Sequence, residues 1–121
     1  MRWFKRLDRL SEPDEHLHSQ EVRNWVSRVP GVEQVAVVRP RTRARVAGIV
    51  QSIKVVPQQE TSRLEVEVYD GTDEITGVWW GRRRILGIEL GRGIILEGTI
   101  GRADGRGLQM INPAYELLPA N

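Results

Sequence analysis

The first 37 residues carry the period of an amphipathic helix. Four apolar residues recur there at spacings of three and four, namely Val22, Trp25, Val26 and Val29. This spacing places them on one face of a helix, with Ser11 as the predicted N-cap and Pro30-Gly31 as the signal that ends it. A shorter helix is predicted ahead of it, with an apolar face formed by Trp3, Phe4, Leu7 and Leu10. We expect both helices to form an appendage that packs on the main domain.

From about residue 38 onwards the period changes from that of a helix to that of a strand. In residues 64–69, Leu and Val alternate with Glu and Tyr, the pattern of a half-buried strand. Asp70-Gly71 and Asp104-Gly105 are hairpin-turn signals, whereas residues 81–91 contain too many glycines for a long helix. The five predicted strands span residues 45–56, 64–69, 75–80, 93–101 and 107–117.

Five bent antiparallel strands with their longest link after the third strand are the layout of an OB-fold. Gly48 and Gly98 interrupt two of the strands at points where a small barrel must bend sharply. We therefore predict an all-β, five-stranded OB-fold barrel over residues 38–121, preceded by a short helical N-terminal extension over residues 1–37. An SH3-like barrel is the nearest alternative, although it would have shorter strands and no link at that point.

Composition narrows the class of protein. The 121 residues contain no cysteine, which excludes disulfides and thiolate metal sites and leads us to expect a cytoplasmic location. No apolar run is long enough to cross a bilayer as a helix, so we expect no membrane partner. The formal net charge is only +2, but all except two of the 18 cationic residues are arginines. The planar guanidinium of arginine suits both phosphate binding and stacking on rings.

Four segments carry a resemblance to a known family, namely Arg45–Val50, Leu64–Thr72, Val78-Trp79-Trp80 and Gly107–Leu117. Together they resemble the wedge domain of RecG-type helicases, which is an OB-fold. The whole chain is also similar to stand-alone actinobacterial proteins described as OB-fold nucleic-acid-binding domains, in which a helical N-terminus precedes a barrel with a segment like Trp79-Trp80-Gly81-Arg82-Arg83. The resemblance implies an OB-fold that binds nucleic acid.

Two departures limit what the resemblance implies. The sequence contains no Gly-x-x-x-x-Gly-Lys-Ser/Thr phosphate loop, so the chain is not a helicase motor. In addition, Gly81 and three arginines follow the aromatic pair, where the wedge family has a polar residue. The resemblance therefore carries over nucleic-acid binding but not the separation of strands.

Residues 79–84 combine the two features that bind single-stranded nucleic acid, aromatic faces for bases and cations for phosphates. Because successive strand residues point to opposite faces, only one of the two tryptophans can face solvent. Trp79 has the same parity as Ile75 and Gly77, so we predict Trp80 as the stacking platform, although a β-bulge would exchange the two. The alternative is that both rings pack in the interior, as aromatic residues commonly do.

Several cations outside this stretch are further candidates for contact with phosphates. Arg41, Arg43 and Arg45 recur at every second position, so we expect them to project from one side of the chain. Others flank the predicted first loop, residues 57–62, or the Asp104-Gly105 turn, which are the usual binding loops of an OB-fold. Glu65 and Glu67 face outward nearby and would repel phosphates. The predicted nucleic-acid-binding residues are Arg41, Arg43, Arg45, Lys54, Arg63, Trp80, Arg82, Arg83, Arg84, Arg102 and Arg106.

No pattern of catalytic or metal-ligating residues emerges from the sequence. His16 and His18 are two positions apart on a predicted helix, so they point to different sides and do not form a metal pair. We therefore expect no catalytic residue, no metal and no cofactor. The expected function is non-catalytic binding of nucleic acid, with single-stranded or branched DNA favoured over RNA, in replication, recombination or repair. The alternative is a protein-interaction adaptor that uses the barrel, its acidic outer residues and the N-terminal helices.

Overall fold

The computed structural model of the protein describes residues 12–103, 105 and 107–119. Within these ranges it contains the helix α1 (Glu12–Val26), a 3₁₀ helix (Val35–Val37) and six β-strands. The strands are β1 (Arg43–Gln58), β2 (Thr61–Tyr69), β3 (Glu74–Trp80), β4 (Gly93–Ala103), β5 (Gly107–Ile111) and β6 (Ala114–Leu117). No helix in this part of the chain is long and apolar enough to cross a membrane.

Five of the strands close into a ring in the order β1-β2-β3-β5-β4, with β1 and β4 paired to each other. All pairings in the ring are antiparallel except that of β3 with β5. The 16-residue strand β1 pairs with β4 through Arg43–Ile49 and with β2 through Ile49–Gln58, so it turns the corner of the barrel. The predicted five-stranded OB-fold is confirmed, and β6 adds a short strand beside β4.

The core lies inside the ring and takes one parity of each strand. On β2 the buried apolar residues are Leu64, Val66 and Val68, as the alternation predicts. The link between β3 and β4 adds Ile85 and Ile88 to the same core. This irregular link is therefore anchored at two apolar residues rather than being a free loop.

Helix α1 packs its apolar stripe on the outside of the barrel. Val22 and Val26 are buried against Ala47 of β1 and Ile95 of β4, with Trp25 and Val29 packed around them. The predicted stripe is confirmed, although the helix ends at Val26 rather than before Pro30. The predicted shorter helix and the predicted cap at Ser11 lie outside the described residues.

The predicted fifth strand is interrupted in the structure. Strand β5 ends at Ile111 and β6 begins at Ala114 because Asn112 has a φ of 47° and Pro113 has no N–H to donate. Strand β5 pairs with β3 and the end of β4, whereas β6 pairs with the beginning of β4. The break lets one segment complete the ring and then cross to the other half of β4.

The predicted first loop, residues 57–62, is shorter in the structure. Strand β1 continues to Gln58 and β2 begins at Thr61, so only Gln59 and Glu60 form the turn. Gln59 has a φ of 49°, a left-handed conformation of the kind that two-residue hairpin turns require. The sequence lacks a glycine here, which is why residue preferences alone indicated a longer loop.

A buried carboxylate ties the segment before the barrel to the turn between β2 and β3. Asp70 is 1% exposed, and its Oδ2 accepts a hydrogen bond from the backbone N–H of Val35 at 2.7 Å. Its Oδ1 accepts the N–H groups of Thr72 at 2.8 Å and Asp73 at 3.0 Å. These donors offset the cost of burying the charge, and they fix the 3₁₀ helix against the barrel.

Candidate nucleic-acid interface

The two adjacent tryptophans have opposite environments, and Trp80 is the exposed one. Its side chain is 44% exposed at the end of β3, whereas Trp79 is 5% exposed and belongs to the core. The indole Nε1 of Trp79 donates to the carbonyl oxygen of Pro113 at 3.2 Å, and its ring meets that of Tyr115 edge to face. No bulge interrupts β3, so the parity argument predicts the orientation of both rings correctly.

Arg63 stands directly across from Trp80 on the neighbouring strand β2. Its guanidinium carbon lies 5.4 Å from the centre of the Trp80 ring, over one face. Its Nε donates to Glu65 Oε2 at 2.7 Å, with the two side chains only 15% and 11% exposed. Arg63 is therefore engaged with an aromatic ring and a carboxylate, and Glu65 is not a free negative charge facing a ligand.

The three arginines of the link follow Trp80 directly. Gly81, with a φ of 75°, turns the chain out of β3, and its N–H donates to the carbonyl oxygen of Ser62 at 2.7 Å. The side chains are exposed, and none of them forms an ion pair with a carboxylate in the described part of the chain. Because Ile85 is buried immediately after them, this cationic run begins and ends at fixed points. Its members are Arg82, Arg83 and Arg84.

The β2–β3 face, which we define as the outward residues Arg63, Glu65, Glu67, Thr76, Val78 and Trp80, changes in charge along its length. Lys54 of β1 lies across from Glu65 and extends this face at its cationic end. Glu67 lies farther from Trp80, and the amide of Gln51 donates to its Oε1 at 3.1 Å. Burial raises the pKa of the Glu67 carboxyl above its ordinary value. Glu74 raises this pKa further, and Gln51 and Lys54 lower it.

Arg43 and Arg45 belong to a different side of the barrel. They point outward from the half of β1 that pairs with β4, together with Glu97 of β4 and Glu116 of β6. Arg45 approaches Glu97 at 3.1 Å and Glu116 at 3.5 Å, and Arg43 approaches Glu97 at 3.8 Å. These carboxylates already partner both arginines and compensate their charge. The spacing of the arginines along the chain did not reveal this compensation.

Arg41 and Arg102 lie near the far end of β4. The N–H of Arg41 donates to the carbonyl oxygen of Ile100, and its φ is 69°, so it does not continue the alternation of Arg43 and Arg45. Arg102 lines a cleft of about 300 Å³ together with Glu67 and Glu74. Arg106 lies outside the described residues. The predicted cations therefore form separate groups rather than one continuous patch.

One contributor to the interface was not predicted from the sequence. The Oδ1 of Asn112 accepts the backbone N–H of Trp80 at 3.2 Å, and the N–H of Asn112 donates to the carbonyl oxygen of Val78 at 2.6 Å. Asn112 thus fixes the backbone that carries the exposed indole. The signal was the dipeptide Asn112-Pro113, which marks a turn inside an apparent strand.

The polar residues that the structure describes outside this interface form no metal site. Within the described ranges, no group of three or more His, Cys, Asp or Glu residues is placed to hold a metal ion. The ring of His18 lies 6.3 Å from that of Tyr69 in a stacked arrangement, and Ser19 hydrogen-bonds to the Tyr69 hydroxyl. These residues join α1 to the barrel.

The chain is similar to a known protein family and to solved structures. A family model described as OB-fold nucleic acid binding domain matches residues 44–118. No curated protein sequence matches the chain significantly. Among solved structures, the chain is similar to RecG bound to a three-way DNA junction, with a TM-score of 0.60, 17% identity, and coverage of 74% of this chain and 13% of that one.

A second similar structure is a replication protein A heterotrimer bound to ssDNA. Its TM-score is 0.49 at 17% identity, with coverage of 64% of this chain and 57% of that one. The chain therefore spans less than two thirds of either matched chain. At this level of identity, the likeness to RecG concerns the fold.

Proposed function

Because the chain belongs to the family of OB-fold nucleic acid binding domains, we propose that it binds single-stranded or branched DNA and catalyses no reaction itself. The observation that carries this proposal is the exposed Trp80 indole, followed at once by three guanidinium groups that pair with no carboxylate of the described residues, Arg82, Arg83 and Arg84. Replication, recombination or repair is the setting in which such DNA occurs.

The proposal favours unpaired bases because only they can stack on a ring. An aromatic platform contributes about 1–3 kcal/mol for each stacked base, and nearby cations hold the phosphates. In a duplex, by contrast, the base faces are covered by their neighbours. The DNA in the RecG structure is a three-way junction, which motivates including branched DNA among the substrates.

The charge along the β2–β3 face favours a limited contact area. Cations lie at its Trp80 end, whereas Glu67 and Glu74 lie toward the cleft beside Arg102. A DNA strand would therefore lie across Trp80 and the link, and it would avoid the acidic end of the face. This arrangement predicts moderate affinity and strong dependence on salt.

The adaptor alternative loses part of its basis in the structure. It relied on Glu65 and Glu67 as an acidic outer surface, but Glu65 is nearly buried and paired with Arg63. Its other basis, the apolar residues among the first ten, lies outside the described part of the chain. We therefore propose nucleic-acid binding rather than an adaptor role.

The experiment is a fluorescence-anisotropy titration with labelled single-stranded, duplex and forked oligonucleotides at several salt concentrations. We expect tighter binding to single-stranded and forked DNA than to duplex. With about four phosphate contacts on a single strand, the slope of log K against log salt would be near −3. The triple variant R82A/R83A/R84A should flatten this slope, because it removes three exposed cations beside Trp80.

The double variant R43A/R45A is the matched control, since it removes two arginines that carboxylates already partner on another side of the barrel. It should leave the slope nearly unchanged. Absence of binding to every oligonucleotide at low salt would refute the proposed function. An unchanged slope in the triple variant would exclude the link as the phosphate contact.

A further inference from the structure

The side chain of Arg63 is less exposed than those of the other candidate cations that the structure describes. Its side chain is 15% exposed, and the Glu65 carboxylate that accepts its Nε at 2.7 Å is 11% exposed. A guanidinium in this position is already compensated by a negative charge and largely covered by protein. It is poorly placed to neutralise a phosphate, which requires an accessible cation.

The same guanidinium lies over one face of the Trp80 ring, 5.4 Å from its centre. Attraction between a cation and the electron-rich face of an indole favours this placement. Glu65 prevents the arginine from moving away, because leaving would strand a nearly buried carboxylate. The ring is held from behind on one face, while 44% of the side chain remains exposed.

Holding the ring in place affects binding in two ways. A fixed side chain loses less conformational freedom when a ligand orders it, so the free energy of binding is more favourable. In addition, one covered face leaves only the opposite face for stacking. A ring that is open on both faces could insert between two bases, whereas this ring can stack one base on its uncovered face.

We infer that Arg63 is a positioning residue that holds the Trp80 indole from behind and leaves its other face to a single unpaired base. This inference rests on the proposed function, and it assigns Arg63 a role other than phosphate contact. It also explains the place of Glu65 on a surface expected to bind an anion. The carboxylate anchors the arginine and has its charge neutralised by it.

The test measures the affinity and the salt slope of R63Q for labelled single-stranded DNA. We expect the affinity to fall by about two- to thirtyfold, the range of a cation–π contact, while the salt slope stays that of the wild type. R83Q is the comparator, because loss of an accessible phosphate contact lowers the magnitude of the slope by about 0.7. In a W80A background, R63Q should cause no further loss of affinity.

Glu65 is left without its partner in R63Q, so the double variant R63Q/E65Q is measured beside it. This variant replaces the buried ion pair by two amides and keeps the fold testable by thermal unfolding. It should show the same loss of affinity at the wild-type slope.

Three outcomes would overturn the inference. The first is a slope reduced as in R83Q, which would make Arg63 a phosphate contact. The second is wild-type affinity in both Arg63 variants, and the third is an undiminished effect in the W80A background. A wild-type protein that binds no DNA would refute the proposed function itself, which is a separate result.

Discussion

At the scale of residues, neighbouring side chains of the same type have different roles because strand geometry turns them apart. Trp79 fills the barrel end and satisfies its indole N–H with a backbone carbonyl, whereas Trp80 faces outward beside Arg63. Trp79 therefore contributes to the stability of the fold, whereas Trp80 is available for the proposed binding of a base. Substitutions at these two positions should affect different measurements.

We expect W80A to fold with nearly wild-type stability and to lose about 1–3 kcal/mol of binding free energy, the value of one stacked base. W79A should instead lose about 3–5 kcal/mol of folding stability, because a large buried ring is removed. Thermal unfolding and anisotropy titrations of both variants check this. Equal loss of affinity in the two folded variants would contradict the assignment of Trp80.

Glu67 makes stability depend on pH. Its pKa is raised above the ordinary value of 4.5, first by burial and then by Glu74, so the folded state holds this proton more tightly than the unfolded chain does. By linkage, protonated Glu67 contributes to the free energy of unfolding below pH 4.5, and this contribution is lost as the pH rises through the raised pKa. E67Q should therefore be more stable than the wild type at neutral pH and flatten this loss.

Chemical denaturation at a series of pH values measures this difference. The exposed Glu89 provides the control variant E89Q, which should follow the wild-type curve. A less stable E67Q at neutral pH would show that the carboxylate is stabilising rather than costly.

At the scale of elements, the Asp70 carboxylate and the Thr72 hydroxyl tie the 3₁₀ helix before the barrel to the turn after β2. Asp70 accepts the N–H of Val35 from that helix and two N–H groups from its own turn. We expect D70N to lose about 1–3 kcal/mol, because an amide NH₂ cannot accept from one of these buried donors. D73N, at an exposed position of the same turn, should cost much less when both are measured by urea unfolding.

The two glycines expected to bend the barrel differ in how closely other strands approach them. A Cβ on Gly48 would lie 2.5 Å from the carbonyl oxygen of Tyr69, whereas one on Gly98 would lie 3.6 Å from its nearest neighbours. We expect G48A to lose about 1–3 kcal/mol through overpacking, while G98A stays near the wild type. Comparable unfolding midpoints for the two variants would contradict this difference.

At the scale of the whole molecule, the helix and the candidate interface occupy different parts of the barrel. Helix α1 contacts Ala47, Ile95 and the end of β2 at Tyr69, whereas Trp80 pairs with Arg63 at the opposite end of β2. Packing of the helix should therefore affect stability without altering the proposed DNA-binding surface.

The variant V22A/V26A tests this separation. Each substitution removes two buried methyl groups, which should cost about 2 kcal/mol including the cavity. Affinity for single-stranded DNA, measured on the folded fraction at low temperature, should match the wild type. A parallel loss of affinity would indicate that α1 supports the interface.

The sequence alone determined the features that depend on local order. Alternation on β2 and β3 set which residues face the core, and this parity predicted an exposed Trp80. The stripe on α1 was predicted for the same reason, and the glycines of residues 81–91 indicated the long link after β3. Each of these features depends on residues a few positions apart, through the period of the backbone or the residue types of one short segment.

Only the tertiary structure decided which charges remain available for a ligand. Arg43 and Arg45 meet Glu97 of β4 and Glu116 of β6, which are distant in the sequence and approach them only through the fold, whereas Arg63 pairs with Glu65 two residues further along β2. The three arginines of the link, residues 82–84, have no such carboxylate partner in the described part of the chain. The sequence shows how many guanidinium groups the chain has and how they are spaced. It does not show which carboxylates lie within a few ångströms of them, because the pairing of the strands sets those distances.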